Sequence, residues 1–209
     1  MTEHIKIEKA ENILTLTFAR SKKKNALTDA MYGRLADAIV AAETNPATRV
    51  IVIRGEGDMF TGGNDVGEFA GIATGAVTGE RHVTRFLDAI ARATRPLVAA
   101  VQGRAVGIGT TMLLHCDFVL LAEDALLSTP FVNLALVPEA ASSLLMPMRI
   151  GHAAPSKCLR WESRWMPRPR FSWGSRTAWC RWIGCMPKPL TSLGGWQDSR
   201  PARSPRPRG

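Results

Sequence analysis

The first 160 residues contain no tryptophan, and the first 150 contain a single cysteine, Cys116. A lone thiol in that segment forms no internal disulfide and reads as a small buried hydrophobe. Cys158, Cys180 and Cys185 lack CxxC spacing and have only His152 near them, so no metal site is expected. There is no run of 18 uncharged apolar residues, hence no expected helical membrane span. No basic n-region leads into an apolar h-region, so no secretory signal is expected and a reducing, cytoplasmic setting is the default. GxxxxGK[ST] and GxGxxG are both absent, which argues against a phosphate loop and a dinucleotide fold.

Acidic residues are scarce in one region only. Residues 151–209 carry twelve Lys/Arg against Glu162 and Asp198, whereas residues 1–150 carry fifteen against sixteen. The net charge of +9 therefore belongs to the tail. All six tryptophans and eight of the thirteen prolines lie there too. The composition divides the chain into a core, 1–150, and a basic Trp/Arg/Pro-rich segment, 151–209. Arginines spaced by Pro, Ser and Trp follow no helical or strand period, and the tail is expected to be poorly ordered.

The core alternates strands and helices. Residues 4–9 and 13–18 read as a hairpin turning at Glu11-Asn12. Thr28 caps a helix that runs to about Glu43, with Met31, Leu35, Ile39 and Val40 recurring at helical spacing. Strands are expected at 49–54, 96–102, 117–122 and 126–128. Helices are expected at 80–94, at 110–115 and from Glu139 onward. This order implies α/β architecture with a parallel sheet.

Two glycine-rich segments, 55–67 and 103–109, each follow a buried strand. Backbone N–H groups from two such turns can converge on one oxygen. Five segments then carry a resemblance: Lys24-Asn25-Ala26-Leu27, Phe60-Thr61-Gly62-Gly63-Asn64-Asp65, Pro96 to Gly103, Gly107-Ile108-Gly109 and His115-Cys116-Asp117. In this order and spacing, residues 4–150 resemble the crotonase superfamily of enoyl-CoA hydratases and isomerases. The resemblance implies a spiral of ββα turns, here with an atypical C-terminal segment in place of the family's trimerising helices. It implies an acyl-CoA substrate with no separate cofactor, and a trimeric or hexameric assembly whose C-terminal contacts this chain would lack. It places the two oxyanion amides at Asn64 and Ile108. It sets Lys24 and Ala26 against the CoA nucleotide, and Gly62, Gly63, Asp65, Val66 and Phe131 along the substrate path. Asp65 and Asp117 are expected to order their loops.

The side-chain bases narrow the reaction. The resemblance places the two hydratase glutamates at Thr111 and Phe131, and neither residue ionises as a base. Glu139, in Pro138-Glu139-Ala140-Ala141-Ser142-Ser143, resembles the single catalytic glutamate of peroxisomal-type 3-enoyl-CoA to 2-enoyl-CoA isomerases. At the start of a helix, in an apolar pocket of Phe131, Leu134 and Leu136, its pKa should be raised. Isomerisation is the favoured expectation and 2-enoyl-CoA hydration the second. A different class is a non-catalytic remnant, or a protein whose basic tail binds single-stranded nucleic acid.

The tail also reads coherently in another frame. Trp and Met have single codons, so Arg164–Pro167 contains TGG ATG CC. Read from the third base of each codon, it gives Leu, Val or Met, then Asp, then Ala. Extended to both sides, the string is compatible with L-G-E-[SP]-V-D-A-A-T-A-L-x-x-G. That matches the family pattern following the last core helix. The expectation is a frameshift between about Gly151 and Cys158.

Overall fold

The computed structural model describes residues 4–68 and 81–150, together with the strand pair at 179–180. Strands β1 (Ile5–Ala10) and β2 (Ile13–Phe18) form the expected hairpin, antiparallel with Ile5 opposite Phe18. Glu11 and Asn12 both take positive φ, 49° and 65°, which a two-residue turn between right-twisted strands requires. Helix α1 (Asp29–Thr44) follows; the Thr28 Oγ1 accepts from the Met31 N–H at 3.3 Å, the capping bond anticipated from sequence.

Strand β3 (Val50–Gly55) lies parallel to β2, helix α2 (His82–Arg92) packs on α1, and β4 (Leu97–Val101) lies parallel to β3. Strand β5 (Arg104–Val106) precedes the short helix α3 (Ile108–Thr111), which tightens into a 3₁₀ turn over Met112–His115. Strands β6 (Phe118–Leu121) and β7 (Leu126–Ser128) and helix α4 (Ser142–Ile150) complete the core. The larger sheet runs β1-β2-β3-β4-β6, and β5 pairs with β7 in a second, parallel two-stranded sheet. Ile5, Leu16, Phe18, Leu35, Ile39, Ile51, Ile53 and Leu97 are fully buried between sheet and helices. Phe18 and Phe60 meet edge to face at 5.2 Å, so the first glycine-rich loop is rooted in this core. Cys116 is buried, as expected, and its Sγ donates to the Met112 carbonyl at 3.7 Å.

Three expectations are corrected. The segment 103–109 is not turn alone: Arg104–Val106 is a strand paired with Leu126–Ser128, set between Gly103 and Gly107, which read as turn. The helix that follows begins at Ile108, not residue 110. The last helix begins at Ser142, so Glu139 stands before it, followed by two left-handed alanines, Ala140 and Ala141 at φ 51° and 52°.

Most of the tail lies outside the described residues, and with it the expectation of poor order. Trp179–Cys180 forms a short strand, β8, antiparallel to Leu120–Leu121. Strand β6 otherwise offers unpaired backbone groups at a sheet edge, which any extended dipeptide can satisfy. No described helix is long and apolar enough to cross a membrane.

Candidate functional site

The two glycine-rich loops adjoin. The Thr61 N–H donates to the Arg104 carbonyl and the Val106 N–H donates to the Thr61 carbonyl, both at 3.1 Å. Gly63, at φ +91°, lies so close that a Cβ there would come within 2.9 Å of the Val106 carbonyl oxygen. A Cβ on Gly109 would fall 2.4 Å from Thr61 Cγ2. These glycines let two backbones approach to a distance no side chain permits.

Asn64 and Ile108 stand on either side of this contact, and peptide planarity fixes where their N–H groups point. The Gly63 carbonyl accepts from the Leu27 N–H at 2.8 Å. In a trans peptide the following Asn64 N–H therefore points away from Leu27. The Gly107 carbonyl accepts from the Thr110 and Thr111 N–H groups at 2.9 and 3.0 Å, so the Ile108 N–H points out of the N-terminus of α3. Among the described residues neither amide has an acceptor. Two free donors on adjoining loops can hold one oxygen.

The loop 60–65 is fixed by a hub that sequence reading passed over. Asn25 is fully buried at φ 53°. Its side-chain amide donates to the Glu56 and Met59 carbonyls, each at 2.8 Å, and its Oδ1 accepts from the Arg20 N–H at 2.9 Å. Thr61 Oγ1 donates to the Asn25 carbonyl at 2.7 Å and accepts from the Gly63 N–H at 3.1 Å. An Asn in Lys24-Asn25-Ala26 is one of few residues that tolerate the left-handed region and offer two donors with an acceptor.

The other expected site residues fall around this centre. The Gly62 N–H donates to the Lys24 carbonyl at 2.7 Å, and Ala26 gives its carbonyl to Arg20 Nη1 at 3.1 Å. The Lys24 ammonium is exposed and pairs with Asp58 at 2.9 Å. Asp65 is partly buried, accepts from Arg20 Nη1 at 2.5 Å and turns its other oxygen to the Gly67 N–H at 3.0 Å. It thus acts on the loop, as expected, and the Arg20 hydrogen bond holds its carboxyl below the usual range. Asp117 likewise ties a strand, accepting from the Leu97 N–H at 2.8 Å. Val66 is 80% exposed. Thr111 and Phe131 are both buried, so the two positions matched to hydratase glutamates lie inside the protein without an ionisable group.

Glu139 is pushed above the ordinary carboxylate range by burial, with the Arg81 charge nearby acting in the opposite direction. The expected surroundings need correction. Leu134, on the 3₁₀ turn Val132–Leu134, is 61% exposed, whereas Phe131 is buried. The groups that feel Glu139 include Tyr32. Tyr32 is buried on α1, packs on Phe86 at 5.4 Å and donates its O–H to Asn64 Oδ1 at 2.5 Å. It lines a small cavity with Leu27, Asp29, Asn64, Asp65 and Arg81. Neither Tyr32 nor Arg81 was singled out from sequence: Tyr32 sits on the apolar face of α1, where an aromatic reads as core. Among the described residues no cluster of His, Cys, Asp or Glu could hold a metal ion.

The geometry coincides with similarity to known proteins. The family model for enoyl-CoA hydratase/isomerase matches residues 8–166. Enoyl-CoA hydratase ACTT3 of Alternaria alternata is 35% identical over 144 residues, 68% of this chain and 49% of that protein. Enoyl-CoA delta isomerase 2 of Rattus norvegicus is 34% identical over 166 residues, 78% of this chain and 42% of that protein. The chain thus spans about half the length of the curated relatives it matches. Among solved structures, Pseudomonas aeruginosa OdaA superposes with a TM-score of 0.73 at 43% identity, covering 78% of this chain and 66% of that one. An enoyl-CoA hydratase/isomerase from Pseudoalteromonas atlantica gives 0.71 at 38% identity, covering 75% and 61%. With this match across most of its described core, the chain belongs to the enoyl-CoA hydratase/isomerase family.

Proposed function

We propose that the chain binds an acyl-CoA and converts a 3-enoyl thioester to the 2-enoyl isomer. The observation that carries this reading is the pair of unpaired N–H groups, Asn64 and Ile108, on adjoining loops. They would accept the thioester oxygen and hold the negative charge that develops on it. Glu139 would remove a proton from the α carbon, giving a dienolate. The same carboxyl would return the proton at the γ carbon, moving the double bond from C3–C4 to C2–C3. One base suffices, and a carboxyl raised by burial has a proton affinity suited to both halves of the transfer. Lys24 and Ala26 would face the CoA nucleotide, and Gly62, Gly63, Asp65, Val66 and Phe131 would border the acyl and pantetheine path. Hydration is disfavoured because Thr111 and Phe131 supply no second carboxylate.

The test is turnover of a 3-enoyl-CoA by the purified chain and by Glu139→Gln. The variant should lose about 10²–10⁴-fold in kcat. Unchanged turnover would remove Glu139 from its role. Rapid hydration of a 2-enoyl-CoA would reverse the order of the two activities.

The same reading treats residues 151–209 as out-of-frame sequence where the family carries its C-terminal helices. Resequencing the coding DNA checks it. The outcome that sinks it is the absence of any single insertion or deletion restoring L-G-E-[SP]-V-D-A. Salt-sensitive binding of single-stranded nucleic acid would support the rival reading of a basic tail.

A further inference from the structure

We infer that Tyr32 is a positioning residue for the oxyanion loop: its buried phenol clamps the Asn64 side chain and fixes the peptide plane whose N–H faces the substrate oxygen. The inference rests on the reading of Asn64 as an oxyanion donor. Three anchors meet at this residue. The Gly63 carbonyl accepts from the Leu27 N–H at 2.8 Å, the Asp65 N–H donates to the Leu27 carbonyl at 2.9 Å, and Tyr32 donates to Asn64 Oδ1 at 2.5 Å. The first two hold one edge of the backbone, as in a parallel bridge between Leu27 and Asn64. The Gly63 N–H, donated to Thr61 Oγ1 at 3.1 Å, ties the backbone on the preceding side. The third anchor adds a hold on the Asn64 side chain itself.

The clamp is well founded. Tyr32 is 3% exposed, its ring packs on Phe86, and it lies one turn into a helix capped by Thr28. Its backbone N–H donates to the Thr28 carbonyl at 3.1 Å. The segment that precedes α1 and the helix itself thus hold Asn64 together. Burial, with the Glu139 charge second, keeps the phenol far above its usual pKa, so it stays a donor wherever Glu139 titrates. Tyr32 thus holds Asn64 through its O–H.

A 3-oxoacyl thioester tests this without turnover. Acetoacetyl-CoA enolises, and its enolate absorbs in the ultraviolet apart from the keto form. A site that stabilises the oxyanion raises the bound enolate fraction. Butanoyl-CoA, which forms no comparable enolate, reports binding alone. Tyr32→Phe keeps the ring and its packing on Phe86. It should lower the ratio of bound enolate to keto form by about two- to tenfold, the worth of one hydrogen bond. Butanoyl-CoA affinity should change by less than about twofold, because that ligand develops no oxyanion charge. Asn64→Ala keeps the backbone N–H and removes the acceptor, and should reproduce the effect. The double variant should be no worse than the poorer single, because both remove one interaction.

An unchanged enolate ratio in Tyr32→Phe and Asn64→Ala overturns the inference. So does an equal loss of butanoyl-CoA affinity, which would mark Tyr32 as merely structural. If the unmodified chain binds butanoyl-CoA but shows no enolate signal, the oxyanion reading itself fails and this inference falls with it.

Discussion

The loops that carry Asn64 and Ile108 are tied at many points, whereas the turn that carries Glu139 is tied at few. Thr61 alone bonds to the carbonyl of Asn25, to the amide of Gly63 and to both ends of β5. Every buried polar side chain in that region has a partner. Around Glu139, three alanines, Ala135, Ala140 and Ala141, sit at φ 51–52°, in the left-handed region that costs an L-residue about 1–2 kcal/mol. Ser142 Oγ is buried with no partner among the described residues. Val137 and Leu144 are largely exposed. The half of the site that carries the two amides is tied and satisfied, and the half that carries Glu139 is strained and under-satisfied. Electrostatic stabilisation requires fixed dipoles. Strain is tolerated beside a reacting group when the surrounding fold is stable enough to hold it.

Breaking the rigid half should have the largest effect on stability. Gly103→Ala places a Cβ 2.0 Å from the Asp58 carbonyl oxygen at φ +55°, and should cost about 3 kcal/mol or more in chemical denaturation. A loss below about 1 kcal/mol would show that the loops yield easily. Next comes Arg20→Met, which leaves Asp65 without its ion-pair partner and should cost about 1–3 kcal/mol.

The two halves should also answer pH with opposite signs. The Asp65 carboxyl is held low, so its stabilisation is present above the unfolded value and lost as pH falls through the lowered folded value. Glu139 is pushed up by burial, so its contribution is intact below the unfolded value and lost as pH rises through the raised folded one. Denaturation of the parent chain and of Glu139→Gln across pH resolves this: the variant should gain relative stability toward neutral pH. A variant that instead loses stability relative to the parent as pH rises would contradict the burial of Glu139.

Smaller effects sharpen the contrast. Ala140→Gly should stabilise by about 0.5–1 kcal/mol, since relief of the left-handed backbone exceeds the added chain entropy. Ser142→Ala should stabilise by about 1 kcal/mol by removing an unsatisfied hydroxyl. Should Ser142→Ala lower turnover instead, the hydroxyl would have a role at the reacting end.

The legibility of the chain follows the same division. The hairpin, α1 with its Thr28 cap, β3, α2 and β4 each carry a complete local pattern and stand close to their expected bounds; β7 also stands where expected. The short β5 was missed because Arg104–Val106 lies between Gly103 and Gly107 and reads as turn. The start of the last helix was misplaced because a run of Glu-Ala-Ala favours helix by propensity, while the tertiary structure holds the alanines left-handed. Asn64, Ile108 and Glu139 stood out through resemblance. Asn25 and Tyr32 did not, since a buried hub and an aromatic on an apolar face look like ordinary core until their partners are seen.

The tie among Asn25, Thr61, Arg104 and Ser128 has a kinetic consequence. The Gly107 N–H donates to the Ser128 carbonyl at 2.9 Å, and Thr61 joins residues about forty positions away on either side. Each such contact closes a long loop before any local gain, which slows folding. During synthesis the pair of amides cannot assemble until Ser128 has left the ribosome. The two amides therefore come together late in synthesis, through close approaches that Gly63 and Gly109 leave room for.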